Sequence, residues 1–184
     1  VQTCALPISD TDYAGCRETR KSTSGGLIQL GSHTIRGWSS TQKVIALSSG
    51  EAEYYALVKA ASQGIGLRNL LRDLGIEREH RIQVMTDASA AIGIASRSGT
   101  GKVRHIEVSE LWVQDKVLKS EIELEKVRTD QNPADMLTKH VDWVCLRKHM
   151  TYTALRLEEG RHADMPAIAE NDDWTEELLG DERE

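Results

Sequence analysis

The chain contains four acidic residues that could together hold divalent cations. Each lies where the apolar pattern predicts the start, the first turn or the end of a buried element: Asp10, Glu53, Asp87 and Asp135. A carboxylate on an apolar face is costly unless it is paired or binds a metal ion. Four carboxylates at one place would repel one another unless cations neutralised them. An all-oxygen set of this kind is the type that Mg²⁺ or Mn²⁺ prefers.

Taken singly, each of these carboxylates also has a purely structural interpretation. Asp87 and Asp135 suit the N-cap or first turn of a helix, Glu53 suits the rim of a helix, and Asp10 suits a turn. Asp12 would share a face with Asp10 in an extended segment, so it is an alternative candidate. A site is indicated only if the fold brings the four together.

The elements that would position these residues are those of a mixed α/β domain. The predicted order is a strand with Asp10, a hairpin over 25–38, a long helix, a strand over 81–86, a helix over 88–95, a helix over 107–119, a strand over 121–127 and a final helix from about 134. Ser48 and Glu51 form a capping-box pattern that opens the long helix. Gly64 and Gly66 predict a kink or a break in it.

Composition limits the class of protein. The 184 residues include 39% hydrophobic and 28% charged residues, enough for a globular core. Three widely spaced cysteines argue against a disulfide framework and against a cysteine-based zinc site. The net charge of −6 divides unevenly, with −8 in 151–184 and +2 in 1–150. A mildly basic body with an acidic tail permits a nucleic-acid partner.

Several motifs over residues 9–140 resemble those of a known protein family and occur in the same order and at the same spacing as in that family. They are SDTDYAGC, RKSTSGG, WSSTQKVIALSSGEAEYYAL, TDASAAI, KVRHIEV and NPADMLTK. Together they resemble the ribonuclease H domain of copia-type LTR retrotransposon Pol polyproteins. The resemblance implies a ribonuclease H-like α/β fold, in which a mixed five-stranded sheet carries helices on both faces.

The resemblance also implies a function for the four carboxylates. Asp10, Glu53, Asp87 and Asp135 match the catalytic, metal-holding positions of the family, which uses two Mg²⁺ ions or Mn²⁺ as a substitute. His105 of KVRHIEV matches a family position, and we interpret it as a structural or substrate-rim residue. Many ribonucleases H have a histidine in the loop before the last carboxylate, whereas the corresponding RTDQNP stretch has none.

The implied activity is endonucleolytic hydrolysis of the RNA strand of RNA–DNA hybrids during reverse transcription. The implied partners are the hybrid and an upstream reverse transcriptase domain of the same polyprotein, with no membrane. The implied location is a cytoplasmic retrotransposon particle, with the nucleus as an alternative and secretion not expected. A competing interpretation is a degenerate or repurposed hybrid-binding module without turnover.

The sequences of the two chain ends predict that the chain is divided into three segments. Residues 1–8, VQTCALPI, read as the in-frame translation of a widely used sequencing-library adapter, so we expect them to be non-native. Residues 9–150 form the expected ribonuclease H-like domain, and residues 151–184 an acidic, disordered tail. Sequencing the transcript from adapter-free template tests the first expectation, because a native VQTCALPI there would contradict it.

Overall fold

Five strands form one mixed sheet in the computed structural model, which describes residues 5–76, 81–101 and 103–156. The strands are β1 (Ala5–Asp12), β2 (Thr23–Leu30), β3 (His33–Thr41), β4 (Ile82–Thr86) and β5 (Ile122–Lys126). Their spatial order is β3-β2-β1-β4-β5. The β1–β2 and β2–β3 pairs are antiparallel, whereas the β1–β4 and β4–β5 pairs are parallel. The predicted mixed five-stranded sheet is confirmed.

Four α-helices and three short 3₁₀ segments accompany the sheet. The helices are α1 (Ser49–Asp73), α2 (Ser89–Ala95), α3 (Trp112–Leu118) and α4 (Trp143–Tyr152). The 3₁₀ segments are Val108–Leu111, Thr129–Gln131 and Pro133–Leu137. Among the described residues, no helix combines the length and the apolarity needed to cross a membrane.

The two faces of the sheet are covered by different elements. Val84 in β4 belongs to a buried cluster that includes residues of α1, α2 and α3. Its neighbour Met85 packs instead with Ile8, Leu27 and the segment Pro133–Leu137. Successive side chains of a strand point to opposite faces, so the two clusters lie on opposite sides of the sheet. Helical elements on both faces are therefore present, as expected.

Both ends of α1 follow from local sequence signals. The Ser48 side chain accepts a hydrogen bond from the Glu51 backbone N–H at 3.2 Å, which confirms the predicted start. The Glu51 carboxylate accepts from the Leu47 N–H at 2.9 Å, one residue earlier than a standard capping box would place it. At the other end, Gly75 has a φ of +73° and stops the helix.

Of the predicted kink or break at Gly64 and Gly66, the break is wrong, because α1 runs without interruption through both positions. A Cβ atom on Gly64 would lie 2.7 Å from Pro7 Cγ and 2.9 Å from Ile82 Cγ2, whereas one on Gly66 would meet nothing within 4 Å. Gly64 therefore lets α1 approach β1 and β4 closely. The glycine has a low helix propensity, but it permits a tertiary contact that the local sequence does not indicate.

This difference predicts opposite effects for two glycine substitutions. Gly64→Ala is expected to lower the free energy of unfolding by about 1–3 kcal/mol, because overpacking outweighs a helix-propensity gain of about 1 kcal/mol. Gly66→Ala is expected to raise it by up to about 1 kcal/mol. Urea unfolding of the two variants measures both values. Equal stabilisation by both would show that Gly64 does not contact β1 and β4.

The C-terminal part differs from the prediction in two respects. The expected final helix from Ala134 is a 3₁₀ segment, and the last helix within the described residues is α4. The Asp142 carboxylate caps the N-terminus of α4 by accepting from the Cys145 N–H at 2.8 Å. The region predicted as one helix over 107–119 begins as 3₁₀ before α3.

The domain also continues beyond the predicted boundary at residue 150. Helix α4 extends to Tyr152, Thr153 is fully buried, and the Thr34 hydroxyl donates to the Thr153 carbonyl at 2.8 Å. The rest of the predicted tail, 157–184, lies outside the described residues. At the other end of the chain, residues 5–8 form the first half of β1 and pair with β2, whereas residues 1–4 are not described. The adapter origin of residues 1–8 stays a prediction.

Candidate active site

Three of the four predicted carboxylates meet at one point. Asp10, Glu53 and Asp87 each present a carboxylate oxygen, and these three atoms lie within 4.8 Å of one another. Asp10 and Asp87 are brought together because β1 and β4 are parallel, with Ser9 paired to Thr86, so each aspartate follows a paired residue. Glu53 comes from the first turns of α1, which packs on β1. The cluster thus joins three residues that are separated in the sequence by 43 and by 34 positions.

The cluster is electrostatically unfavourable without a cation. Asp10 is 2% exposed, and burial raises its pKa to about 6, with the negative charge of Asp135 adding to the effect. Burial also raises the pKa of Glu53 to about 8, and the charges of Asp10 and Asp87 raise it further. The Glu53 Oε2 atom is buried and accepts no hydrogen bond from the described residues. Such a set of acceptors favours a bound cation.

Asp135 lies beside this cluster and is linked to it by a lysine. It belongs to the 3₁₀ segment Pro133–Leu137 and is not one of the three mutually close carboxylates. Lys139 Nζ lies 3.1 Å from Asp135 Oδ1 and 3.6 Å from Asp10 Oδ2. The Thr138 hydroxyl donates to Asp10 Oδ2. The predicted fourth carboxylate is therefore adjacent, with an ammonium group between it and Asp10.

Neither Asp87 nor Asp135 is an N-cap, whereas the alternative first-turn interpretation holds for Asp135. The N-cap position of α2 is Ala88, and no side chain caps that helix. The 3₁₀ segment that contains Asp135 is capped by Asn132, although Asp135 does lie in its first turn. Asp12, the alternative to Asp10, lies at the end of β1 and is not part of the three-carboxylate cluster.

Asn132 is a site residue that the sequence analysis missed. It is fully buried, and its Nδ2 donates to the Ser9 carbonyl at 3.1 Å and to Asp87 Oδ1 at 3.5 Å. Its Oδ1 accepts from the Ala134 N–H at 3.1 Å. One side chain therefore ties β1, the residue after β4 and the Asp135 segment together. The Asn-Pro pair at 132–133 is a turn signal, but these long-range partners have no local signature.

His105 makes a structural contact. Its Nε2 lies 2.7 Å from Glu51 Oε2, and the Glu51 side chain is 2% exposed. Because a carboxylate only accepts, Nε2 donates, which satisfies a buried charge near the start of α1. Of the two roles left open for His105, this contact favours the structural one.

The raised pKa of Glu53 makes the stability of the metal-free domain depend on pH. The pKa rises from an ordinary value of 4.5 to about 8 on folding, so the folded state binds more protons between these values. The stabilisation is complete below about pH 4.5 and is lost as the pH rises through about 8. Each pKa unit corresponds to about 1.4 kcal/mol. In EDTA, the melting temperature is therefore expected to fall from about pH 5 to 8.

Glu53→Gln supplies the matched variant for this measurement, because it keeps the shape of the side chain and removes its titration. Its melting temperature in EDTA is expected to fall less steeply over the same pH interval. Parallel pH profiles for the two proteins would show that the Glu53 carboxyl is not held in a proton-binding environment.

Comparisons with known proteins agree with this architecture. The chain is 35% identical over 134 residues to the retrovirus-related Pol polyprotein from transposon TNT 1-94 of Nicotiana tabacum, covering 72% of the chain and 10% of that relative. It is 30% identical over 140 residues to the Pol polyprotein from transposon RE2 of Arabidopsis thaliana, covering 76% and 10%. The chain thus spans about a tenth of the length of these curated relatives. No protein-family profile matches it.

A solved structure shows the same fold. The N-terminal ribonuclease H domain of a Mycobacterium tuberculosis protein, studied as a fusion with maltose-binding protein, superposes with a TM-score of 0.50 at 19% sequence identity. The superposition covers 83% of this chain and 97% of that one. With its polyprotein relatives and this shared fold, the chain is a ribonuclease H-like domain related to the Pol polyproteins of plant copia-type retrotransposons.

Proposed function

We propose that this domain hydrolyses the RNA strand of RNA–DNA hybrids, as part of a Pol polyprotein that carries out reverse transcription. The observation that carries the proposal is the cluster of Asp10, Glu53 and Asp87 within 4.8 Å of one another, in a chain related to Pol polyproteins. The expected location is the retrotransposon particle in the cytoplasm, or the nucleus, and the expected partner domain is a reverse transcriptase.

The residues present fit a divalent cation, and we propose that the site holds a pair. All the donors are carboxylate oxygens, which suit Mg²⁺ and also Mn²⁺, and the buried Glu53 Oε2 has no hydrogen-bond donor among the described residues. Asp10, Glu53 and Asp87 would hold cations, with Asp135 as the fourth ligand. Bound in pairs, such ions activate a water molecule and stabilise the leaving oxygen of a phosphodiester.

The chain's own contribution is to hold these carboxylates in place. Thr138 donates to Asp10, and Asn132 donates to Asp87, so each aspartate has a donor from the protein before any ion arrives. Helix α1 sets the backbone position of Glu53. The cluster consists of carboxylates, which can hold the ions that would activate a water molecule for hydrolysis. Preorganisation of this kind is what a metal-dependent hydrolytic centre requires.

Substrate choice is expected to depend on the shape of the hybrid. Hybrids and RNA helices are distinguished from DNA by their groove geometry and by the 2′-hydroxyl groups rather than by base sequence. The net charge of +2 in 1–150 is compatible with phosphate contacts. The competing candidate, a hybrid-binding module without turnover, would keep such contacts and lose hydrolysis.

A strand-resolved cleavage assay tests the proposal. The substrates are one sequence prepared as an RNA–DNA hybrid, an RNA duplex and a DNA duplex, each labelled on one strand. With Mg²⁺ we expect cleavage of the RNA strand of the hybrid, with 5′-phosphate product ends, and no cleavage in EDTA. Asp87→Asn should bind the hybrid without cleaving it. Hybrid binding by the wild-type chain without any cleavage would favour the binding module instead.

A further inference from the structure

Lys139 places a positive charge among the acidic residues of the site. Its Nζ lies 3.1 Å from Asp135 Oδ1 and 3.6 Å from Asp10 Oδ2. The position is set by a tight turn, because the backbone N–H groups of both Thr138 and Lys139 donate to the Asp135 carbonyl at 3.2 Å. Lys139 therefore follows Asp135 at a fixed spacing and reaches back across it towards Asp10.

This ammonium group lies beside two of the four carboxylates, those of Asp10 and Asp135. Among the described residues, Lys139 is the basic side chain within 4.0 Å of Asp10 or Asp135, and none lies that close to Glu53 or Asp87. The side chain of Lys139 is 43% exposed, whereas those of Asp10 and Asp135 are 3% and 12% exposed. The acids are thus held by the fold, while the flexible stem of the lysine has space to move into solvent.

We propose that the Lys139 ammonium is a tethered counter-ion that holds Asp10 and Asp135 together in the metal-free domain and competes with divalent cations for them. This inference rests on the proposed function, since it requires that the carboxylates bind cations. The physical reason is that an ammonium group and a metal ion use the same carboxylate lone pairs and repel each other at short range. Lys139 consequently stabilises the free domain and weakens cation binding.

Lys139 is thus expected to stabilise the metal-free domain but to weaken cation binding. This combination distinguishes a competing lysine from one that only supports the site. A lysine that only positioned the ligands would strengthen cation binding, so its removal would weaken it. A competing lysine gives the reverse result. Partly exposed ion pairs contribute about 0.2–1 kcal/mol each, so two of them correspond to a change in affinity of about twofold to thirtyfold.

Thermal melting of the full chain over a Mg²⁺ titration, starting in EDTA, tests the proposal without any substrate. Lys139→Met is expected to melt at a lower temperature than the wild type in EDTA. Its melting temperature should then reach half of its total Mg²⁺-dependent rise at about a twofold to thirtyfold lower Mg²⁺ concentration. Lys139→Arg, which keeps the charge, should behave like the wild type, and Lys139→Gln should repeat the Met result with a polar side chain.

Lys116→Met is the matched control, because Lys116 is a lysine of similar exposure whose ion pair, with Glu121 at 2.8 Å, lies outside the site. It should leave the half-saturating Mg²⁺ concentration unchanged. An unchanged or higher half-saturating concentration in both Lys139→Met and Lys139→Gln, with a normal wild-type response, would overturn the role of Lys139 alone. No Mg²⁺ response in the wild type would overturn the metal centre and this inference with it.

Discussion

Asp10→Asn is expected to reduce cleavage of the RNA–DNA hybrid by about 10²–10³-fold or more. Asp10 lies at the centre of the acidic group, because it belongs to the three-carboxylate cluster and also contacts Thr138 and Lys139. The substitution keeps the size of the side chain and removes its charge. Losses of this size are typical when one electrostatic contact to the transition state is removed. Single-turnover cleavage at saturating Mg²⁺ measures the effect.

Asp12→Asn is the matched control, two residues further along the same strand. Asp12 lies outside the cluster, so its substitution is expected to change the cleavage rate by less than about threefold, within the small effects that surface substitutions usually have. Equal losses in the two variants would mean that the register of β1 does not place Asp10 alone in the site. Circular dichroism of both proteins controls for folding.

Asn132→Ala is expected to have the second largest effect, on stability as well as on cleavage. Asn132 is fully buried, and its side chain joins Ser9, Asp87 and Ala134. The substitution leaves buried backbone groups without partners, at about 1–3 kcal/mol for each unsatisfied group. We expect a loss of about 2–4 kcal/mol in the free energy of unfolding, measured in urea, and slower cleavage because Asp87 loses its donor.

Gln131→Ala is the control for this position, since Gln131 is the exposed neighbour in the same turn. It should change the free energy of unfolding by less than about 0.5 kcal/mol. Asn132→Asp separates size from hydrogen bonding, because it keeps the volume but places a second carboxylate next to Asp87. Asn132→Asp should lower the free energy of unfolding and the cleavage rate at least as much as Asn132→Ala. A stable, active Asn132→Asp protein would rule out the donor role of Asn132.

The parts of the fold that the sequence predicted are those with local signals. The capping box at Ser48 and the left-handed Gly75 set the two ends of α1 within a few residues. The alternating patterns of β4 and β5 are likewise local. In contrast, Gly64 packs closely against Pro7 and Ile82, which are distant in sequence. No pattern within the helix could have revealed that contact.

The same distinction applies to the site. Asp10, Glu53 and Asp87 could be proposed because each lies at the start, in the first turn or at the end of a predicted element and matches a family motif, and the fold places them together. Lys139 and Asn132 were missed because a lysine after a short helix and an asparagine before a proline are ordinary at a protein surface and in a turn. Their importance comes from partners on β1, more than a hundred residues away. Such pairings become visible only in three dimensions.

An anomalous difference map from a crystal of the domain soaked in Mn²⁺ tests the central claim most directly. We expect a peak at roughly 2.0–2.5 Å, the range of oxygen coordination to divalent ions, from carboxylate oxygens of Asp10, Glu53 and Asp87. The peak should be absent or weaker in Asp87→Asn crystals treated in the same way. A wild-type map with no peak among these three carboxylates would contradict the assignment of this cluster as the metal centre.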